Sequence, residues 1–193
     1  MRACLKIMGG AVFVLMNLLP LARAAENPPL TTNTVAVGMY GTLEVLTPKD
    51  WTLVYTNMHL TGKPESVEFH SPSNTIVIRL AIYWDGFAGN LSKPTDADMT
   101  QIVSNTVVRS YLPIAVEKTF VVEKLRGPKV TGSFARFTDA GWVPMLKDEY
   151  RNLATGMFRS GNLWGTFDLV CFDKDGPQFN QGLKIMESLR RKP

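Results

Sequence analysis

Residues 149–172, with the sequence EYRNLATGMFRSGNLWGTFDLVCF, decide the fold of this chain. Two strand-like runs flank an Arg-Ser-Gly-Asn turn at residues 159–162, which is typical of a β-hairpin. In the second run, Leu163, Phe167 and Leu169 fall on one side, whereas the other side mixes polar with large apolar side chains. This alternation predicts one core face and one partly covered face, and it places the hairpin at the centre of an antiparallel sheet.

The first 24 residues have the pattern of a secretory signal peptide. Arg2 and Lys6 form a positive n-region, an apolar run spans residues 7–19, and Ala-Arg-Ala at residues 22–24 offers small side chains to a signal peptidase. The apolar run is short and interrupted, so we expect cleavage after Ala24 rather than a stable membrane anchor. The mature chain is therefore predicted to be periplasmic or secreted.

Composition limits the classes of function. The chain of 193 residues has 21 basic and 17 acidic side chains, but three of the basic ones lie in the signal segment. The mature chain is then close to neutral, and its charge does not indicate nucleic-acid binding. Its one cysteine, Cys171, excludes an internal disulfide and falls on the core face of the hairpin, where a thiol acts as a small apolar group.

Periodicity predicts the remaining elements. A flexible lead-in is expected over residues 25–39 because this segment is polar and holds paired prolines. The strands before the hairpin are expected at residues 40–46, 51–55, 67–69, 75–84, 119–125 and 130–138.

Two helices complete the expected chain. One begins with Thr95 as N-cap, carries Asp96 and Asp98 in its first turn, and has an apolar stripe that packs on the sheet. A C-terminal helix ends in the basic residues 190–192. Residues 40–193 are thus predicted to form one α+β domain with a mostly antiparallel sheet and flanking helices.

No catalytic or metal-binding set stands out in the sequence. His59 and His70 are the only histidines, too few for a zinc site with local ligand spacing. Serine-hydrolase and nucleotide-binding motifs are absent, and we expect no cofactor. The close carboxylate pairs fall at helix starts or turns, where capping explains them. They are Asp96/Asp98, Asp148/Glu149 and Asp173/Asp175.

Four basic residues cluster in sequence around one predicted hairpin: Lys124, Arg126, Lys129 and Arg136. They could form an anion-binding rim, but charged side chains on a strand edge also prevent unwanted strand pairing. We favour the second interpretation.

The candidate binding residues are apolar side chains in loops. Residues 139–148 include Trp142, Val143, Met145 and Leu146, which are costly to leave in water. This loop either contacts a partner or folds back over the core, and the sequence leaves both open. Aromatic residues after the strongest predicted strand form a second candidate, and these are Trp84 and Phe87.

The order of elements resembles that of the PsbP/Mog1-like group. Pro48-Lys49-Asp50-Trp51 resembles the P-x-G-W start of that group's second strand, with Asp50 in place of glycine. The likeness covers about residues 40–190 and implies a central antiparallel sheet flanked by helices. It also implies binding or assembly roles, as in photosystem accessory proteins, a nuclear-transport cofactor, bacterial envelope proteins and secretion-effector adaptors, with no catalytic residues to transfer.

These observations favour a non-enzymatic protein that contacts another protein through an aromatic loop, either as an envelope assembly factor or as an immunity-type protein that blocks a toxin. An exposed Trp142 with no cavity would support this interpretation. The first alternative is a carrier of a small ligand or lipid, with a cavity between the sheet and the Asp96 helix. A pocket lined by Trp51, Tyr55 and Ile78 would favour it. The second is an undetected hydrolase, which a contact between His70 and a carboxylate in a cleft would favour.

Overall fold

A computed structural model describes residues 28–57, 64–85, 93–143 and 150–192. Its strands in these ranges are β1 (Leu30–Ala36), β2 (Thr42–Pro48), β3 (Thr52–Asn57), β4 (Glu65–His70), β5 (Ile76–Trp84), β6 (Glu123–Arg126), β7 (Thr131–Thr138), β8 (Asn152–Ser160), β9 (Leu163–Cys171) and β10 (Arg190–Lys192). Its helices are α1 (Asp96–Ile102), α2 (Val108–Tyr111) and α3 (Pro177–Glu187). A π-helical turn, Val103–Val107, joins α1 to α2, and a 3-10 turn lies at Gly38–Tyr40.

The strands form two antiparallel sheets. The larger sheet has the order β3-β4-β5-β9-β8-β7-β6, and the smaller has the order β1-β2-β10. Strand β9 has three strands on either side, and it pairs with β8 through nine residue pairs. The prediction of a central hairpin is therefore confirmed, as is the α+β class with mostly antiparallel strands.

Both faces of the seven-stranded sheet are covered. On one face, Phe167 and Leu169 of β9 belong to a large core with Phe179 and Met186 of α3, and the three-stranded sheet contributes to the same core. On the other face, Trp164 packs in a smaller core with residues of α1 and the π-helical turn. The mixed second face of β9 in the sequence reflects this second, partial layer.

Two glycines fix the geometry of the central hairpin. Gly161, the first residue of the two-residue turn, has a φ of 64°, which favours glycine. Gly165 lies opposite Phe158, and a Cβ atom on Gly165 would come within 2.2 Å of the Ala81 carbonyl oxygen and 2.8 Å of the Phe158 ring. The absence of a side chain at Gly165 is what lets the Phe158 ring lie against its neighbouring strand.

The start of α1 agrees with its sequence signal. The Thr95 hydroxyl accepts a hydrogen bond from the Asp98 N–H (3.2 Å), and the Asp98 carboxylate accepts one from the Thr95 N–H (2.8 Å), which completes a capping box. Arg159 of β8 pairs with Asp96 at 2.9 Å, so this helix is tied to the central hairpin as well as capped.

The expectation of a flexible lead-in over residues 25–39 is wrong where it meets β1. Leu30–Ala36 pairs with β2 along its whole length, from Leu30 opposite Pro48 to Ala36 opposite Thr42. Because β1 is an edge strand with mainly exposed side chains, its polar composition resembles that of an unstructured segment. Strand β1 forms because it pairs with β2, so its own sequence carries no strong strand pattern.

The predicted helical end at residues 190–192 is also wrong, because these residues form β10 and pair with β2. Arg190 and Lys192 lie 2.7 and 3.3 Å from the carboxylate of Glu44, so a strand-to-strand ion pair replaces the expected helix-dipole contact. The strand expected at residues 119–125 begins only at Glu123, because Phe120 packs on Phe137 instead of continuing the ladder.

Replacing Gly165 by alanine should destabilise the fold by about 1–3 kcal/mol, because the new methyl group would overlap a backbone carbonyl and an aromatic ring. Urea unfolding monitored by tryptophan fluorescence measures this difference. Gly141→Ala is the matched control, since a Cβ atom there would meet only the Asp139 carboxylate at 3.5 Å. Equal stabilities of the two variants would contradict the role assigned to Gly165.

Candidate functional site

The two candidate binding regions from the sequence lie at opposite ends of the seven-stranded sheet. Trp84, the last residue of β5, is opposite Leu163, the first residue of β9. Trp142 follows β7, whose last residue lies beside the start of β8 and thus beside the other end of β9. A nine-residue strand separates these ends by roughly 27 Å, so the two regions do not form one site.

Trp84 has a packing role. Its ring stacks on that of Tyr40 at a centroid distance of 4.6 Å, and it is partly buried against the larger core. Phe87, the second candidate at this end, lies outside the described residues.

Trp142 is half-buried. This lies between the two arrangements that the sequence left open, a loop exposed to a partner and a loop folded back over the core. The Arg151 guanidinium lies 5.5 Å from the centre of its ring, a cation–π contact. Its indole Nε1 is buried and has no acceptor among the described residues. The next residue, Val143, is 46% exposed. Met145 and Leu146 lie outside the described residues.

An exposed apolar ridge lies close to Trp142, and it consists of Leu112, Ile114 and Val116 after the end of α2. Ile114 is 56% and Val116 54% exposed. The intervening residue, Ala115, is only 1% exposed and makes an isolated bridge to Asp139, whereas its two larger neighbours face water. An apolar surface of this kind in water is typical of a contact surface.

Backbone hydrogen bonds hold this ridge against the end of the sheet. The Val116 N–H donates to the Thr138 carbonyl at 2.8 Å, and the Ala140 N–H donates to the Ile114 carbonyl at 3.0 Å. The ridge is therefore a fixed part of the fold, because the backbone is hydrogen-bonded to the sheet end at both Ile114 and Val116.

A groove of about 240 Å³ lies beside the ridge. Its lining includes Tyr111, Ile114, Phe137, Tyr150, Arg151 and Leu153. Because Ile114 belongs to both the ridge and the groove, and Arg151 lies over Trp142, these features are continuous. We call the ridge, the groove and Trp142 the apolar end surface.

Glu117 fastens the ridge to two other elements. Its carboxylate accepts hydrogen bonds from the Thr138 N–H (2.8 Å) and the Thr138 hydroxyl (2.7 Å), and it pairs with the Lys174 ammonium before α3. Burial opposes the charged form of Glu117, but the Lys174 and Thr138 donors outweigh this effect and lower its pKa to about 2. Ionised Glu117 thus joins the ridge, β7 and the loop before α3.

Sequence reasoning identified Trp142 and Val143 and missed the ridge. The alternation of large and small side chains at Ile114, Ala115 and Val116 was the signal that could have located the ridge. That alternation resembles a strand, yet Ala115 makes only an isolated bridge, to Asp139. Which side chains face water depends on that long-range contact.

A contact between His70 and a carboxylate, one part of the condition for a hydrolase, is present. Its Nε2 lies 2.8 Å from Glu68 Oε2, and its Nδ1 lies 2.8 Å from Asn74 Oδ1. Glu68 also pairs with Arg79 at 3.2 Å. Both ring nitrogens of His70 are therefore engaged, one by a carboxylate and one by an amide oxygen, and the arrangement resembles a surface network more than a histidine that activates a hydroxyl or thiol. His59 lies outside the described residues.

The cavity that would favour a carrier is not assembled from the three expected residues. Trp51 and Ile78 are buried in the larger core, whereas Tyr55 donates its hydroxyl to the Thr34 carbonyl at 3.0 Å. On the α1 side of the sheet, Met99 and Val103 are fully buried. Those side chains occupy the space between the sheet and the Asp96 helix.

The basic cluster is divided between the two faces of the sheet. Lys124 donates to Ser133 and Thr100, on the α1 side. Arg136 instead pairs with Glu123 at 2.5 Å and lies 4.9 Å from the centre of the Phe179 ring, on the α3 side. Lys124 and Arg136 therefore do not lie together in one anion-binding rim.

Cys171 is buried, and its thiol donates to the Asp173 carbonyl at 2.9 Å. Burial raises the pKa of Cys171 to about 12, so the thiol stays protonated at neutral pH and behaves as a core group. In the described ranges, no three His, Cys, Asp or Glu side chains lie close enough together to hold a metal ion. Among those same residues, no helix has the length and apolar character needed to cross a membrane.

No protein-family model matches the chain, and no curated protein matches it either. Among solved structures, the chain is similar to the solution structure of cyanobacterial PsbP (CyanoP) from Synechocystis sp. PCC 6803, with a TM-score of 0.49 and 14% sequence identity. The match covers 90% of this chain and 99% of that one. The sequence resemblance stated above names the PsbP/Mog1-like group, and this solved structure is of a PsbP.

Replacing Glu117 by glutamine should change how stability depends on pH. The pKa of Glu117 is about 2 in the folded chain against an ordinary 4.5, so its charge stabilises the fold above about pH 4.5, and this contribution is lost as the pH falls toward 2. Glu117→Gln should be less stable than the unchanged protein near neutral pH, and the difference should shrink toward about pH 3. Urea unfolding at several pH values measures it.

Asp50→Asn, which removes a negative charge from an exposed turn, is the control for this experiment. A stability difference for Glu117→Gln that does not change with pH would show that the ionised carboxylate does not hold the ridge.

Proposed function

We propose that this chain is an exported accessory protein, without catalytic activity of its own, that binds another protein through the apolar end surface. The observation that supports this proposal is the ridge, in which Ile114 and Val116 remain more than half exposed although the backbone between them is bonded to the sheet. When a partner covers apolar side chains that the fold holds in water, the free energy of the system falls, and this favours binding.

The geometry favours a protein partner with an apolar anchor. Burying one large aliphatic side chain is favourable by about 1.5–3 kcal/mol, and part of this is offset by the loss of free motion on association. The ridge loses little conformational freedom on binding, because its backbone and the Glu117 contacts are already fixed. The groove between Tyr111 and Leu153 is the place for an inserted aromatic or aliphatic side chain.

The rim of the surface adds a charge preference. Arg151 is exposed at its backbone turn and reaches over the Trp142 ring, so it presents a cation beside the groove. A carboxylate on the partner, next to its apolar anchor, would pair with Arg151 without disturbing the groove. Such a partner could be an envelope component in assembly or a toxin that the chain blocks, and identification of the captured protein would decide between them.

Export is supported by the signal-peptide pattern of residues 1–24. The protein in the periplasmic or culture fraction is expected to begin at Ala25, and intact-mass measurement of that fraction tests this. A protein that keeps residues 1–24 and stays in the cytoplasmic fraction would contradict the proposed export.

Substitution of Ile114 by aspartate should weaken partner binding strongly. Capture from the extract of the compartment in which the protein is found, followed by titration with the purified partner, should show at least about tenfold weaker binding by Ile114→Asp, because a charge replaces a buried apolar contact. Trp142→Ala should weaken binding as well. All proteins are compared at equal folded concentration, checked by their melting temperatures.

Met39→Asp is the matched control for Ile114→Asp. Met39 is 88% exposed, and its 3-10 turn lies at the Trp84 end of the sheet, away from the ridge. We expect this variant to bind the partner normally. A partner that binds Ile114→Asp as tightly as the unchanged protein, or that is lost with Met39→Asp instead, would show that the apolar end surface is not the binding site.

A further inference from the structure

A second groove, of about 720 Å³, lies between α3 and the three-stranded sheet. It shares no lining residue with the apolar end surface. Its volume falls within the range of roughly 300–1,000 Å³ that is usual for small-molecule sites in proteins. It runs along α3 from Pro177 to Ser188, which at 1.5 Å per residue is roughly 16 Å.

The groove exists because β10 is short. Its three residues pair with β2 only at residues 42–44, so the rest of β2 has no strand neighbour on that side. Ser188 compensates for part of the missing ladder, since the Leu46 N–H donates to its hydroxyl oxygen at 2.9 Å. The space beside Leu46, which lies beyond the start of β10, is left open, and the Leu46 N–H is satisfied by Ser188.

The walls of the groove are mainly apolar. Leu46 and Pro48 of β2 form one side, Leu30 of β1 extends it, and Ile185 of α3 contributes the other. Leu30 is 64% exposed even though it lies directly opposite Pro48 in the sheet. These side chains give a surface suited to an extended hydrocarbon chain.

Other residues of α3 add polar groups and one positive charge to the groove. Asn180, Gln181 and Lys184 contribute to the lining from neighbouring turns of the helix. Lys184 is exposed and forms no ion pair with an acid in the part of the chain that the structure describes. An apolar trough with one unpaired ammonium group and two amides at its side is complementary to an amphiphile with one anionic head.

We propose that this groove binds one fatty acid, with its chain along Leu30, Leu46 and Ile185 and its carboxylate at Lys184. The site differs from the one expected of a carrier, because it lies on the α3 side of the seven-stranded sheet and not beneath the Asp96 helix. It is also independent of the protein partner proposed above, since it uses different residues. Either site can be disproved without affecting the other.

Dodecanoate is the probe for this site. Native mass spectrometry of the purified protein mixed with dodecanoate should show one dodecanoate per chain. Displacement of a fluorescent dodecanoate analogue gives the affinity. Lys184→Glu should weaken dodecanoate binding by about tenfold or more, because a charge-assisted hydrogen bond is replaced by repulsion between like charges. The same variant should bind dodecyltrimethylammonium more tightly than the unchanged protein does.

Lys129→Glu is the matched control, since Lys129 is an exposed lysine in the turn between β6 and β7. This variant should bind dodecanoate as the unchanged protein does. The proposal is overturned if dodecanoate does not bind saturably, if Lys184→Glu binds it equally well, or if the two lysine variants weaken binding to the same degree. Binding that begins only when dodecanoate aggregates would overturn it too.

Discussion

The structure depends on the pairing of β8 and β9 with both of their faces buried. Nine residue pairs join these strands, and nine more join β9 to β5. A shift of one residue would move Phe167 and Leu169 from the larger core to the smaller one, and would take Gly165 away from Phe158. Because each alternative register buries the wrong side chains, the central strands have one favourable arrangement, and the outer elements are positioned by it.

The candidate site lies at one end of this central sheet, and hydrogen bonds between several chain segments hold it there. The Thr138 hydroxyl bonds to Glu117 and lies 3.2 Å from Asn152 Oδ1, and the Asn152 amide donates to the Phe172 carbonyl at 2.7 Å. The ends of β7 and β9 and the start of β8 are thus linked through buried polar groups to the segment that follows α2. A partner that covers the ridge would meet a surface whose position is set by these bonds rather than by loop motion.

Local signals allowed much of the fold to be predicted from the sequence. Strand β5 alternates over nine residues, and the N-cap of α1 lies at Thr95, as expected. Strands β1 and β10 could not be recognised, because they are polar or short and exist only through pairing with β2. At the candidate site, apolar loop residues indicated Trp142 and Val143, but the ridge is exposed because Ala115 turns inward against Asp139, a contact between residues distant in sequence.

The apolar end surface and the α3 groove share a physical origin, since each lies where strand pairing stops. At the first, the chain beyond β7 bonds to the segment after α2 through isolated backbone contacts, which leaves Ile114 and Val116 outside the core. At the second, β10 begins only at Arg190, opposite Glu44, and this leaves Leu46 beside α3. The bridge of Ala115 to Asp139 and the hydrogen bond of Leu46 to Ser188 hold the backbone beside each surface in place. The stability of the central sheet therefore maintains exposed apolar surface at two places, and a bound partner or ligand would relieve the cost of that exposure.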